Sequence, residues 1–544
     1  MSSKPDAGHA GASLPGSELF RFSCRPNSAH AIHWRTWGQV AFQEAIQQDK
    51  PIFLVLTSSW CQWCHIMDET TLSEASIIAI VNTDYIPIRV DSDMRPDINV
   101  RYNQNGWPSV VLLSPEGEIL WGGVYVPPTQ MLYYLGHIRR YYSEHRQEIV
   151  EQTLQLQGTR FTHSLTQTLP PIGGQLLLQE ERAALADVPR LAGLVLRDLY
   201  DQEYGGFTIH RHLKFPHPEA LELLLRLARH EPLAAPQLRG IVSYSLEQMR
   251  DGGLWDREDG GFFRYSAASD WSTPHTEKML EENAALLHLL LHTADATQAP
   301  QWYELARKVL LYCNATLLQP EMGVFSGSQS ADEEYYEPAL YSRATRQRPA
   351  VDTTVYTAWN ARMVSAYLLA AQVLKQPYLD AIALKALDWL CKHMLTCDAD
   401  VLYYAMRGGK AGLSGQLTAR VWLMRALLDA YERHGTKKYV ETASKIMEKT
   451  CQDLLDKESG LFFDIPYDEC AIGRLSQRMQ PLTENALAAE CLLRIAEYRT
   501  RHEAHEQGLR VLSASLSQYQ RTGIQGALYA GVVLEAIEKR WLYP

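Results

Sequence analysis

No stretch of eighteen apolar residues occurs in this chain of 544 residues, so no segment of it reads as a membrane-spanning helix. No basic tract occurs either. The net charge of −11 is spread with both signs along the chain, and nucleic acid is not an expected partner. Cysteine is sparse: nine residues, an odd number without framework spacing, which fits a reducing compartment. The first residues (MSSKPDAGHAGASLPGSELF) lack the charged start and apolar core of a signal peptide. Residues 1–29 therefore read as a flexible tail, and the expected setting is the cytoplasm. No metal and no cofactor are expected. An apolar content of 46% permits a sizeable core, and the length suggests several domains.

Against that background one short segment carries chemistry: Trp60-Cys61-Gln62-Trp63-Cys64-His65. It follows the apolar, β-branched run 51–56 and opens a helical pattern. A helix N-terminus presents unpaired N–H groups and the positive end of the dipole, which favours a thiolate over a thiol. The second cysteine, one turn in, can resolve a mixed disulfide. Three rival readings exist. Haem attachment uses Cys-x-x-Cys-His but needs export, and no signal peptide is visible. Structural zinc needs a second cysteine pair, which Cys24, Cys313, Cys391, Cys397, Cys451, Cys470 and Cys491 do not supply. An inert relic of a redox pair is the third.

Residues 30–150 alternate helix and strand: a helix over 38–50, strands over 51–56, 85–91, 109–113 and 118–126, a helix from Cys61 to about Asn82, and a closing helix over 131–148. This is the order of an α/β thioredoxin-like core. Pro108, after Gly106-Trp107, stands where such folds place a cis-proline opposite the redox pair. Asp91 and Asp93 are assigned no chemistry. Residues 151–179 are polar and end in Pro-Pro-Ile-Gly-Gly, a linker.

Residues 180–544 change character and hold twelve helical patterns. A connector recurs between them, an acid followed by glycine and an aromatic: 201–207, 259–263, 322–325 and 459–463. Such self-similarity means stacked helix pairs, and six pairs argue for an all-α (α/α)6 toroid over an open solenoid.

The strings SSWCQWCHIMDETTLSE (58–74), NGWPSVVLLSPEG (105–117), LKFPHPEAL (213–221) and DGGLWDREDGGFFRYSAASDWSTPHTEKMLEENAALL (251–287) resemble those of the YyaL-like or spermatogenesis-associated protein 20 family. The resemblance runs over nearly the whole chain. It implies a thioredoxin-like domain fused to a toroid of the six-hairpin glycosidase or N-acylglucosamine 2-epimerase type, and by analogy of fold alone a sugar-like ligand. The chain departs from the family at Gln62 and Phe263, where the family has His, at Thr276, where it has Phe, and at Ala361, where it has Gly.

The densest polar cluster of the toroid is 255–283, expected at the mouth of the funnel. Trp255, Asp256, Arg264, His275, Glu277, Lys278 and Asn283, with Trp359 and Asn360 of a later helix, are the candidate ligand-binding residues. Rings beside carboxylates suit a sugar. Epimerisation would call on His275, and glycoside hydrolysis on Asp256 and Glu277 as a carboxylate pair. A purely structural role in bracing the loop competes with both. The expected function is thiol–disulfide exchange, with Cys61 attacking, Cys64 resolving, Trp60 and His65 shaping the site and Pro108 facing it. The toroid would then recruit a client or a sugar-like ligand. A carbohydrate-active enzyme with a regulatory thioredoxin domain, or a non-catalytic scaffold, are the alternatives.

Overall fold

A computed structural model describes residues 20–166, 179–209, 213–337, 343–396 and 399–542. The chain forms two units, 1–159 with 470–476, and the remainder. No helix among the described residues is long and apolar enough to cross a membrane.

The first unit is built on a four-stranded sheet of order β2-β1-β3-β4: β1 (Ile52–Thr57), β2 (Ile86–Asp91), β3 (Ser109–Leu113) and β4 (Ile119–Val124). β1 runs parallel to β2 (Ile52 opposite Ile86) and antiparallel to β3 (Ile52 opposite Leu113). Alternate side chains of a strand face opposite sides of the sheet, so an unbroken apolar run serves two cores. On one side Phe53, Val55, Val110 and Leu112 meet Met67, Ile77, Met131 and Leu135. On the other, Ile52, Leu54, Ile88 and Val111 meet Phe42, Ile98 and Tyr102. The helices are α1 (Gln39–Gln48), α2 (Gln62–Glu69), α3 (Ala75–Asp84), α4 (Pro96–Tyr102) and α5 (Pro128–Thr166).

Four expectations are corrected here. The single helix from Cys61 to Asn82 is two. Thr70 leaves helical geometry (φ −112°, ψ −87°), its hydroxyl donates to the Ile66 carbonyl at 2.6 Å, and Ser73 donates to the Asp68 carbonyl at 2.5 Å. The linker expected over 151–179 is helical as far as Thr166, because α5 continues through a kink at His145, and 167–178 lie outside the described residues. The tail expected over 1–29 is anchored at its end: Arg21 pairs with Asp91 at 2.7 Å, and Ser23 N–H donates to Asp68 at 3.0 Å. Residues 1–19 lie outside the described residues. Residues 470–476, expected in the toroid, belong to the first unit, where Ile472 and Leu475 pack on the layer around Tyr102.

Beside short strands and turns in its connections, the long helices described in the second unit are α6 (Gln179–Leu199), α7 (Pro218–His230), α8 (Ala235–Gly252), α9 (Leu280–Thr297), α10 (Pro300–Tyr312), α11 (Thr357–Val373), α12 (Tyr378–His393), α13 (Leu417–His434), α14 (Lys437–Leu454), α15 (Leu482–Arg499), α16 (His502–Tyr519) and α17 (Ala527–Glu538). Helices α7, α9, α11, α13, α15 and α17 pack each on the next, and α17 returns to α7, closing an inner ring. The others lie outside it, each on an inner partner. Inner and outer helices carry different patterns. α11 is buried almost all round, whereas α14 has a single apolar stripe of Tyr439, Val440, Ala443, Ile446, Met447 and Leu454.

The recurring connector is one turn used repeatedly. Asp201, Asp256 and Asp456 each accept from the N–H two residues on, at 2.9, 3.1 and 3.1 Å. Glycines at positive φ (Gly205 +63°, Gly260 +79°, Gly460 +75°) then reverse the chain. An asparagine on the following inner helix grips the aromatic that ends the turn. Asn283 accepts from Phe262 N–H at 2.8 Å and donates to its carbonyl at 3.0 Å. Asn360 does the same for Phe325 at 2.8 and 2.9 Å, and Asn485 for Phe462 at 2.7 and 2.9 Å.

Candidate functional site

In the first unit the strand β1 ends and α2 begins at the cysteine pair. Cys61 is the N-cap of α2, in extended geometry, and its sulfur accepts the Cys64 N–H at 3.2 Å. The Cys61 sulfur therefore occupies the place an oxygen usually takes at a helix start, beside the first N–H groups of the helix. Both cysteines are free thiols, 4% and 1% exposed. Burial, aided by the hydrogen bond to Cys61, pushes the Cys64 thiol well above its ordinary range. The inner sulfur is thus held as a protonated thiol.

The surrounding side chains are fixed one by one. Trp60 donates its indole N–H to Asp93 Oδ2 at 2.7 Å and meets Trp107 edge-on at 5.5 Å. Trp107 donates to Ser92 Oγ at 2.9 Å, and the Trp107–Pro108 bond is cis. The Pro108 carbonyl accepts from Tyr125 N–H at 3.1 Å. Tyr125 in turn packs on Trp63, which is 44% exposed. His65 turns inward, its Nε2 3.0 Å from the Ser59 carbonyl, and burial lowers its pKa. One turn beyond Cys64, Asp68 forms a buried two-pronged pair with Arg89 of β2 at 2.8 and 2.9 Å, pinning α2 to the sheet. Asp93 and the Asp68–Arg89 pair are parts of this region that sequence reasoning passed over. A lone acid in a loop and an acid in a helix give no pattern until the fold supplies their partners.

In the second unit a cavity of about 740 Å³, counting the solvent at its mouth, is lined by residues of all six inner helices. Its wall includes Glu222 and Arg226 of α7, His288 of α9, Arg362 of α11, Trp422 and Arg425 of α13, Glu490 of α15 and Glu535 of α17. Arg362 bridges Glu281 (2.5 Å) and Glu219 (2.6 Å) and stacks on Trp422 at 4.5 Å. Arg425 lies 3.3 Å from Glu490 and 5.5 Å from the same ring. Burial and the neighbouring Glu490 raise the Glu535 carboxyl to about 7. Burial and Glu281 raise Glu282 to about 7 as well.

None of the nine toroid residues singled out from the sequence lines this cavity. Asn283 and Asn360, expected to bind a ligand, are spent on the Phe262 and Phe325 turns. Asp256, expected as a sugar-site acid, is buried against Lys278 (2.7 Å) and Arg343 (2.7 Å). Against the burial that would raise it, these two cations hold its carboxyl below the ordinary range. Lys278 is enclosed by the rings of Phe263, Tyr312 and Tyr336. Asp201 and Lys214, at 2.5 Å, repeat the pair one hairpin earlier. Trp255 meets Phe262 edge-on at 5.0 Å, and Trp359 packs on Tyr356 at 4.2 Å. Three of the nine stay together: Arg264 lies 3.5 Å from Glu277 and 3.7 Å from Glu282, and His275 stacks on the adjoining Tyr265 at 4.3 Å. Burial lowers the His275 pKa.

With this geometry in view, comparison with known proteins is informative. Residues 24–159 match the Thioredox_DsbH family, described as a protein of unknown function, DUF255. Spermatogenesis-associated protein 20 of Homo sapiens is 24% identical over 550 residues, covering 79% of this chain and 69% of that protein. Residues 24–159 thus match the DUF255 family, and most of the chain is similar to spermatogenesis-associated protein 20. The uncharacterized protein B0495.5 of Caenorhabditis elegans is 33% identical over 276 residues, 47% of this chain and 35% of that protein. Among solved structures, the cellobiose 2-epimerase of Bacillus thermoamylovorans B4167 superposes with a TM-score of 0.54 at 12% identity, covering 66% of this chain and all of that one. A D-mannose isomerase superposes with 0.55 at 10% identity, covering 67% of this chain and 100% of its own. These likenesses are of fold: the second unit is an (α/α)6 toroid and the first is thioredoxin-like.

Proposed function

We propose that this protein is a thiol–disulfide oxidoreductase of a reducing, cytoplasmic setting, with Cys61 as the attacking thiol. The observation that carries the reading is Cys61 at the N-cap of α2, its sulfur taking the Cys64 N–H. In the reaction the Cys61 thiolate attacks one sulfur of a client disulfide. A Cys61–client bond forms, the client S–S bond breaks, and one client thiolate leaves. Cys64 then loses its proton and attacks the Cys61 sulfur. The Cys61–Cys64 disulfide forms, the second client thiolate leaves, and two electrons have passed to the client. The high pKa of Cys64 supports this order, since a protonated inner thiol waits until the mixed disulfide has formed. Exposed Trp63 beside Tyr125 offers an apolar contact for the client.

A Cys64→Ser chain treated with glutathione disulfide should accumulate the Cys61–glutathione adduct, read by mass spectrometry. A chain that stays unmodified at Cys61 while its exposed cysteines react would defeat the proposal.

A second reading concerns the toroid, and the cavity lined by all six inner helices favours it. The pocket takes a small polar ligand rich in hydroxyl or carboxylate oxygens, matched to Arg226, Arg362 and Arg425 on one hand and to Glu222, Glu490 and Glu535 on the other. The epimerase and isomerase fold supports a sugar-like ligand by analogy only. Trp422 already carries two guanidinium groups, so ring stacking on a sugar face is not its role unless they move. A panel of sugars and sugar acids scored by thermal shift tests this, since a ligand of the folded state raises the melting temperature.

A further inference from the structure

Within the toroid wall three side chains converge on one point. Glu222 rises from α7, and His288 and His292 stand one turn apart on α9. The two imidazoles share a helix face because their spacing is i, i+4. Their rings lie 4.5 Å apart. Both turn Nδ1 toward the same carboxylate, His288 to Oε2 at 3.0 Å and His292 to Oε1 at 2.8 Å. One ligand atom from each of the three falls within 4.8 Å of the others. Around a tetrahedral ion with bonds of about 2.0–2.2 Å, neighbouring ligand atoms stand about 3.3 Å apart, so the present spacings need only small side-chain rotations.

We infer that Glu222, His288 and His292 form a binding site for a divalent transition-metal ion in the wall of the toroid cavity. Two imidazoles and a carboxylate are a donor set for zinc and the neighbouring first-row ions rather than for magnesium or calcium, which prefer oxygen alone. As hydrogen bonds, the same contacts require both rings to carry a proton on Nδ1. A divalent ion takes the place of those two protons at Nδ1, and each neutral ring then carries its proton on Nε2. Three protein ligands leave a fourth position open, the arrangement of an exchangeable site rather than a closed structural one. Glu222 and His288 both line the cavity, so the open position faces its interior. An oxygen of water or of a small polar ligand fills it. Arg226, one turn on from Glu222 in α7, pairs with Glu538 at 2.6 Å and stands 3.9 Å from Glu535. The site does not depend on the identity of any cavity ligand, and it departs from the absence of metal expected from cysteine spacing.

The test uses the full chain carrying Cys61→Ser and Cys64→Ser, so that the thiol pair takes no metal. Zinc is titrated by calorimetry, and cobalt(II) is added in parallel and followed by its absorption spectrum. The expected result is one equivalent of zinc per chain, a raised melting temperature, and cobalt bands without a thiolate charge-transfer band. His292→Asn and Glu222→Gln should each weaken zinc binding by at least the roughly 10–100-fold that follows loss of even an outer-sphere partner. His288→Asn serves in place of Glu222→Gln should the latter fail to give the metal-free circular dichroism of the parent. No zinc uptake, uptake through thiolate, or equal affinity in the folded variants would overturn the site.

Discussion

The two units reach a reactive geometry by opposite routes. In the first, Trp60, Cys61, Cys64 and His65 lie within six consecutive residues at one strand–helix junction, and of the site residues read from the sequence only Pro108 comes from elsewhere. In the second, the cavity wall draws on residues from Pro218 to Glu535, one to five per inner helix. The contiguous polar segment 255–283, which resembles a site when read along the chain, serves instead to hold the turns that space those helices. Function and structure thus exchange places. Near the cysteines a short run of sequence is the proposed site, whereas in the toroid the polar cluster is the brace.

The sharpest test of the brace is Lys278→Met. It leaves the buried Asp256 carboxylate with Arg343 alone, and loss of one partner of a buried pair costs about 3–5 kcal/mol. Adding Asp256→Asn should recover much of the loss in denaturant unfolding. If the single variant is as stable as the parent, the cluster is not a brace. Asn283→Ala should cost about 2–3 kcal/mol, because the Phe262 N–H and carbonyl lose their partner while buried. The same change at Asn485 should match it, as the two grips are alike.

Glu535 sharpens the contrast through pH. Its folded carboxyl is raised to about 7 by burial and Glu490, against the pull of Arg226, Arg494 and Arg425. A raised carboxyl contributes stability that is fully present below the unfolded value near 4.5 and is lost as pH rises through about 7. Glu535→Gln should lack this fall, gaining about 1–2 kcal/mol on the parent between pH 5 and pH 8. Parallel unfolding curves across that range would contradict the assignment. The smallest effect is expected at Trp63→Ala: stability within about 0.5 kcal/mol of the parent, since the residue lies at the surface, 44% exposed. Its rate of exchange with a disulfide peptide should nonetheless drop several-fold.

What the sequence disclosed follows this division. Strand runs such as Ile52–Thr57, buried on both faces, and the twelve helical stripes of the toroid are local patterns with fixed periods, and they stand out in one dimension. The break at Thr70 and the extension of α5 to Thr166 were not legible. The first depends on where Ser73 and Thr70 send their hydroxyls, the second on a helix whose composition is as polar as a linker. The cavity was hidden because its members are spread, one to five at a time, over six helices separated by long stretches of sequence. One signal was present and passed over. His288 and His292 stand four apart on a helix, a spacing that presents two imidazoles to one partner. The partner, Glu222, lies on another helix and needed the fold to be found.

The central claim, that Cys61 leads and Cys64 waits, is tested most directly by timed alkylation of the reduced full chain, read peptide by peptide in a mass spectrometer near neutral pH. The account predicts that Cys61 is labelled well before Cys64 and before buried Cys313 and Cys491, and that Cys61 labelling persists in Cys64→Ser. Labelling of Cys64 first, or of neither while exposed Cys24 and Cys470 react, would contradict it.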